Sequence, residues 1–137
     1  MADGASGLAI NIPSTYLTPG TFTSAALNTN GNTVFDTLSW NATVPGSTTL
    51  TVQARTSNDS GMSGAPDWSG CGNLTSGNDI SSDACVTDGE QYIQYRVSMS
   101  TSDTSASPHF EDISIGYQQY PSSQTLTSSA FDSTDAL

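Results

Sequence analysis

The feature that most constrains the fold is a set of short runs in which apolar and polar residues alternate. The clearest is QYIQYRVSMST, residues 91–101, which places Ile93, Tyr95, Val97 and Met99 on one side of an extended chain. Successive side chains of a β-strand point to opposite faces, so a period of two predicts a strand with one buried face. Apolar residues nowhere recur at helical spacing over three turns, and the sequence therefore predicts an all-β protein.

Other runs alternate in the same way. The inward sets that they predict are Leu38, Trp40 and Ala42; Leu50, Val52 and Ala54; Ile113, Ile115 and Tyr117; and, in GLAINI, Leu8, Ile10 and Ile12. Residues 34–44 and 48–56 flank the turn PGS, and we expect them to form an antiparallel hairpin. Strands with polar outer faces need a second sheet over their inner faces, so the predicted fold is a two-layer antiparallel β-sandwich, jelly-roll-like. Its core is expected to include Trp40, Leu50, Val52, Tyr95, Val97, Ile113 and Ile115.

A stretch near the start of the chain returns near its end. TFTSAALNT, residues 21–29, and TLTSSAFDS, residues 125–133, are identical at four of nine positions, and the other exchanges keep polarity class or size. The repeat indicates a tandem array that continues into a next unit; chance repetition in a chain rich in Ser, Thr and Ala is the alternative. The predicted organisation is a lead-in strand or linker at 1–19, a β-sandwich domain at 20–120, and at 121–137 a linker with the start of a following repeat.

The charge balance is strongly acidic. Among 137 residues, 13 are Asp or Glu and only two are Arg or Lys, which gives a formal net charge of −11. Such a surface repels phosphate groups, so nucleic acid and anionic membranes are poor partners, and neither is expected to bind. No apolar run approaches the roughly 20 residues that cross a bilayer, and membrane insertion is not expected. Most of the acids are Asp in turn-like stretches, where a short carboxylate bonds the local backbone.

Cys71 and Cys85 lie 14 positions apart in a long loop, residues 57–90, that shows little periodicity. Metal ligation by this pair would need further Cys or His nearby, so the pair is predicted to form a disulfide. Closing such a loop stabilises a fold by about 3 kcal/mol. A disulfide also implies an oxidising compartment, and we expect an extracellular or cell-surface location.

Several segments together resemble a known kind of repeat. TFTSAALNT, LSWNA, VQARTSN and YIQYRVSMSTSDTSASPHFEDISIGY are similar to a jelly-roll-like β-sandwich repeat of large secreted or cell-surface proteins, with galactose-binding-like or discoidin-like architecture. The resemblance covers about residues 20–118. In such repeats the opening strand reads T-x-T-S-x-x-L/F-D/N, which Thr21–Asn28 and Thr125–Asp132 both satisfy. The cysteine pair departs from the commoner pattern, and the architecture carries many functions.

Catalytic signals are weak. His109 is the only histidine and follows a proline, without a serine in a nucleophile-elbow setting. Glu111 and Asp112 are adjacent on a predicted strand, so their side chains are expected to point to opposite faces and not to act as a glycosidase pair. The sequence therefore predicts a protein that is not an enzyme and has no cofactor.

Two kinds of ligand site are candidates in the long loop. Asp79, Asp83, Asp88 and Glu90 cluster before the strongest strand, and carboxylate oxygens suit a structural calcium ion, although their spacing fits no known calcium loop. Trp68 would stack on a sugar ring, with its neighbours Asp67, Asn73 and Asn78 bonding the hydroxyls. The alternative for Trp68 is a structural plug over the end of the sandwich.

Two functions from different classes follow. The first is a structural or adhesive repeat of a surface or filament protein, whose partners are neighbouring repeats or subunits of the same protein. The second is a carbohydrate-binding module with a glycan as its partner. The environment of Trp68 distinguishes them, since a buried ring favours the first and an open aromatic platform favours the second.

Overall fold

A computed structural model of the chain describes residues 19–120, which form two antiparallel β-sheets packed together. The strands are β1 (Gly20–Thr23), β2 (Leu27–Asn28), β3 (Asn32–Thr43), β4 (Thr48–Ser57), β5 (Asn78–Asp79), β6 (Tyr92–Thr101) and β7 (His109–Tyr120). One turn of 3-10 helix, Trp68–Gly70, is the only helix in this part of the chain. The all-β sandwich predicted from the alternating runs is confirmed. The predicted strand at Leu8–Ile12 and the repeated stretch at 125–133 lie outside the described residues.

Each sheet is built around one long strand. In the first sheet β6 lies at the centre, with β4 on one side and β1 and β2 in succession on the other. In the second sheet β3 lies between the long strand β7 and the two-residue strand β5. All of these pairs are antiparallel. The faces that the two central strands turn toward each other carry the apolar residues.

The predicted hairpin of residues 34–44 and 48–56 is wrong. β3 pairs with β7, and β4 pairs with β6, so the turn between them carries the chain from the second sheet to the first. The alternation alone fixes which residues face inward, and it does so equally well for two strands of one sheet and for two strands stacked face to face.

The core lies between the sheets. Its fully buried members are Phe35, Leu38, Val52, Ala54, Ile80, Val86, Ile93 and Val97. Trp40, Leu50, Leu74, Tyr95, Met99, Phe110, Ile113 and Ile115 are partly buried against them. Every residue predicted for the core therefore belongs to it or packs against it. The prediction missed the contribution of the long loop, which supplies Ile80 and Val86.

Two register shifts explain the inward residues that strict alternation misses. Between Phe35 and Leu38, β3 has one residue more than its partner, so both side chains face the core although they are three positions apart. Gly116 lies opposite this bulge, and a Cβ there would be 3.2 Å from the Thr37 carbonyl oxygen. A second shift, with the extra residue on β7, brings both Phe110 and Ile113 to the inner face.

Candidate functional site

The long loop wraps around the edge of β4 that faces away from β6. The Cys71–Cys85 disulfide closes it, as predicted. At one end, the Gln53 side chain on the outer face of β4 donates hydrogen bonds to the carbonyl oxygens of Trp68 and Cys71, at 3.2 and 2.8 Å. Further along, the Leu74 N–H donates to the Val52 carbonyl oxygen at 2.8 Å. The loop thus runs from the outer face of the first sheet, past the edge of β4, to β5 in the second sheet.

Trp68 lies on the outer face of the first sheet against both arginines of the chain. The guanidinium carbon of Arg55 is 4.4 Å from the centre of the indole ring, and that of Arg96 is 4.7 Å from it. Both distances are within the range of cation–π attraction. The ring is half-buried, so it is neither a core residue nor an open platform.

Hydrogen bonds hold the two guanidinium groups in place. Arg55 donates to the Gln94 side-chain oxygen and to the Pro66 carbonyl oxygen, both at 3.0 Å. Arg96 donates to the Gln53 side-chain oxygen at 2.9 Å. Since Gln53 also bonds the loop backbone, two separate sets of hydrogen bonds join sheet and loop beside the Trp68 ring, one through Arg55 and one through Gln53.

Asp67 shapes the backbone that presents this tryptophan. Its carboxylate accepts hydrogen bonds from the Ser69 N–H and hydroxyl, at 2.9 and 2.7 Å, and so caps the 3-10 turn. These two bonds lower the pKa of the Asp67 carboxyl, and the positive charges of Arg55 and Arg96 lower it further. The side chain thus has a structural use in the turn.

The predicted sugar-binding residues divide between two places. Asn73 and Asn78 line a small polar cavity of about 240 Å³, together with Asp79 and Asp83. Trp68 and Asp67 do not line this cavity and belong to the outer face of the first sheet. The aromatic ring and the two asparagines are therefore not brought together around a single ligand position.

The four acidic residues considered for calcium each bond a nearby donor. Asp79 accepts from the Ser81 N–H at 2.8 Å, which lowers its pKa, and Asp83 accepts from the N–H groups of Gly72 and Cys85. Asp88 accepts from the Phe35 N–H, and Glu90 accepts from the Thr56 hydroxyl. Within residues 19–120, no three or more His, Cys, Asp or Glu side chains form a group that could hold a metal ion.

The expectation for Glu111 and Asp112 requires a correction. The Glu111 carboxylate accepts from the Thr43 hydroxyl at 3.3 Å, and that of Asp112 accepts from the Asn41 amide at 3.0 Å. Thr43 and Asn41 both lie on the outer face of β3, so the two acids share that face and do not point to opposite ones. The bulge in β7 at this point is the reason, because one extra residue reverses the alternation. His109 is exposed at the start of β7.

The arginine pair was not among the predicted site residues, although a signal for it exists. Alternation places Arg55 and Arg96 on the outward faces of their strands, and these are the only two basic residues of the chain. If β4 and β6 are known to be neighbours, Arg55 and Arg96 lie side by side on the outer face of the sheet. An aromatic ring such as that of Trp68 can then be expected to stack on them. The missing information was strand pairing.

Comparison with known protein families, curated proteins and solved structures finds no match. The disulfide indicates an oxidising setting outside the cytosol. In the portion from residue 19 to residue 120, no helix is long and apolar enough to span a membrane.

Proposed function

We propose that this chain is a non-catalytic β-sandwich module of an extracellular or cell-surface protein, where it acts as a structural or adhesive repeat. The observation that carries the proposal is the position of Trp68. The most conspicuous ligand-binding candidate of the sequence is stacked on Arg55 and Arg96, which are themselves hydrogen-bonded to the sheet. Its contacts secure the long loop to the outer face of the first sheet and are not those of an open aromatic platform.

Two features of the sequence support the repeat. The opening strand pattern of Thr21–Asn28 recurs at Thr125–Asp132, as in tandem modules of galactose-binding-like or discoidin-like architecture. The acidic surface disfavours nucleic acid as a partner. The turn aspartates also fit a scaffold, because Asp67, Asp79 and Asp103 each bond a serine two residues ahead.

A carbohydrate-binding module is the second candidate. The observation in its favour is the polar cavity that Asn73 and Asn78 line beside Asp79 and Asp83, since amide and carboxylate groups bond sugar hydroxyls. A sugar bound in this cavity would not contact Trp68, whereas the sequence predicts that Trp68 would stack on the sugar.

A glycan array probed with the full chain, with and without calcium, tests the proposal. We expect no glycan to be retained and the melting temperature to be unchanged by calcium. The variants Trp68→Leu and Asn78→Ala separate the two candidate positions. Glycan binding lost in Asn78→Ala but kept in Trp68→Leu would establish the polar cavity as a sugar site. Binding lost in Trp68→Leu would restore the aromatic site. Either result would overturn the structural-repeat proposal.

A further inference from the structure

Among residues 19–120, no strand covers one side of the sandwich. Phe22 of β1 lies opposite Val97, and Leu27 of β2 lies opposite Ile93, so both point toward the inner face of the first sheet. Even so, Phe22 is 52% exposed and Leu27 is 42% exposed. Tyr117 of β7 lies opposite the buried Phe35 in the second sheet and is 46% exposed. Within the described part of the chain, side chains in inward positions on both sheets are thus partly exposed on this side.

Between these strands lies an apolar cleft, which we call the lateral cleft. It has a volume of about 470 Å³, and its walls include Phe22, Tyr95 and Met99 from the first sheet and Phe110 and Ile113 from the second. The aromatic rings form a row across it, with 6.0 Å between the centres of Phe22 and Tyr95 and 6.4 Å between those of Tyr95 and Phe110.

In the described part of the chain, the strands that border the lateral cleft each have one edge without a partner strand. Among the described strands, β1 and β2 pair only with β6, and β7 pairs only with β3. An unpaired edge beside an uncovered apolar face is the arrangement that an added β-strand satisfies, because the strand supplies backbone hydrogen bonds and one apolar row together. The edge of β7 offers twelve residues in one strand, whereas the opposite edge is broken between β1 and β2.

We propose that residues 7–12, GLAINI, dock as a strand on the free edge of β7 and insert Leu8, Ile10 and Ile12 into the lateral cleft. These three side chains alternate with Gly7, Ala9 and Asn11, so one face of the segment is wholly aliphatic and the segment carries no charge. That pattern suits a strand with one face in an apolar cleft. The inference does not depend on the proposed function.

Chain connection fits this arrangement. β1 begins at Gly20 opposite Met99, at the end of the sandwich where β7 also begins, and Met99 and His109 both line the lateral cleft. A strand that reaches this end and then continues into β1 runs antiparallel to β7. The connecting residues 13–19 can span up to about 23 Å when extended. Stacked sheets are about 10 Å apart, so seven residues are enough to cross from β7 to β1.

Hydrogen exchange on the full chain tests the docking. We expect the amides of residues 7–12 to exchange at least tenfold more slowly than in an unstructured peptide, because a paired strand must open before it exchanges. Ile10→Asp should abolish this protection and speed exchange in β7. Asn11→Asp is the matched control: it adds the same charge in the same strand, but on the polar face, and protection should persist.

Three outcomes would overturn the proposal. The first is exchange of residues 7–12 at the rate of an unstructured peptide in the unmodified chain. The second is equal loss of protection in Ile10→Asp and Asn11→Asp, which would show that the aliphatic face is not inserted. The third is protection in a different place or state. If protection appears only at concentrations where light scattering detects a dimer, the occupant of the cleft is a second copy of the chain. If residues 125–133 are protected and residues 7–12 are not, the occupant is the C-terminal stretch.

Discussion

At the scale of single residues, the contacts of Trp68 help to hold the long loop against the first sheet. A cation–π contact at a partly exposed site contributes about 0.5–1 kcal/mol, and Trp68 has two such contacts. The disulfide closes the loop on itself, whereas Trp68 and Gln53 attach it to the sheet. The orientation of Trp68 in turn depends on the capping carboxylate of Asp67, which is ionised at neutral pH.

Acid is expected to loosen the Trp68 turn. The pKa of Asp67 in the folded protein lies below its ordinary value of 3.8, so its contribution to stability is complete above that value and is lost as the pH falls through the folded pKa. In a Trp40→Phe background, where Trp68 is the only tryptophan, its fluorescence should change below pH 3.8. The change should be absent in Asp67→Asn, because no proton is then gained at this site.

The control for this titration is Asp103→Asn. Asp103 has a lowered pKa for the same reason, since the Ser105 hydroxyl and N–H bond its carboxylate, but it lies in the connection between β6 and β7. The acid transition of Trp68 should therefore persist in Asp103→Asn. If Asp103→Asn removes the transition and Asp67→Asn does not, the fluorescence reports acid unfolding elsewhere and not the cap.

At the scale of elements, the two bulges set the inner faces of β3 and β7. The first lets Phe35 and Leu38 both enter the core, and its backbone approaches Gly116 so closely that a Cβ there would make an unusually tight contact of 3.2 Å with the Thr37 carbonyl oxygen. Glycine at this position is thus a consequence of sheet geometry, because the close neighbour is backbone and cannot rotate away.

Gly116→Ala should lower the free energy of unfolding by about 1–3 kcal/mol, the usual cost of an added methyl group in a packed region. Urea denaturation measures this loss. Gly46→Ala is the control, because a Cβ at Gly46 would have no heavy atom within 4 Å, and its effect should stay within about 0.5 kcal/mol. Equal effects of the two substitutions would mean that the bulge is not a tight contact.

Sequence reasoning succeeded within strands, except at the bulge of β7, and failed between them. Ile93, Tyr95, Val97 and Met99 are placed correctly because their alternation is a property of one extended chain. The partners of β3 and β4 depend instead on which apolar faces pack together. The four-residue turn between them does not decide the matter, because such a turn can connect two sheets as well as two strands of a hairpin. Likewise, Ile80 is not part of an alternating run. Its burial depends on the path of the long loop, which the disulfide closes.

The candidate site was predicted in the same partial way. The disulfide followed from residue types and spacing. Neither interpretation of Trp68 placed it correctly, because the ring lies on the outer face of the first sheet and not over the end of the sandwich. The contacts of Trp68 with Arg55 and Arg96 depend on the pairing of β4 with β6, and the separation of Asn73 and Asn78 from Trp68 depends on the path of the loop around an edge. No local pattern encodes either arrangement.

At the scale of the whole molecule, the described sandwich ends its last strand at Tyr120, and every strand from β1 to β7 has a partner among residues 20–120. If residues 125–133 open a following repeat, they correspond to β1 and β2 of this repeat. Because β1 and β2 pair with the central strand β6 of their own sheet, residues 125–133 would pair within the next repeat. The stretch would then contribute little to the unit described here.

Removal of residues 121–137 is therefore expected to leave the melting temperature within about 4 °C of that of the full chain, the shift produced by roughly 1 kcal/mol in a domain of this size. Differential scanning calorimetry of the two proteins measures the difference. A much larger decrease would show that the C-terminal stretch belongs to this core, and the tandem-array interpretation would then be wrong.

The position of the two arginines also affects the resistance of the folded module to proteolysis. Trypsin-like enzymes cleave after Lys or Arg, and Arg55 and Arg96 are the only such residues of the chain. Both lie within long paired strands, with their guanidinium groups against an indole ring. A protease must bind its substrate in an extended and accessible form, so cleavage at either residue requires the first sheet to open beforehand. The folded module is thereby shielded from this whole class of digestive enzymes.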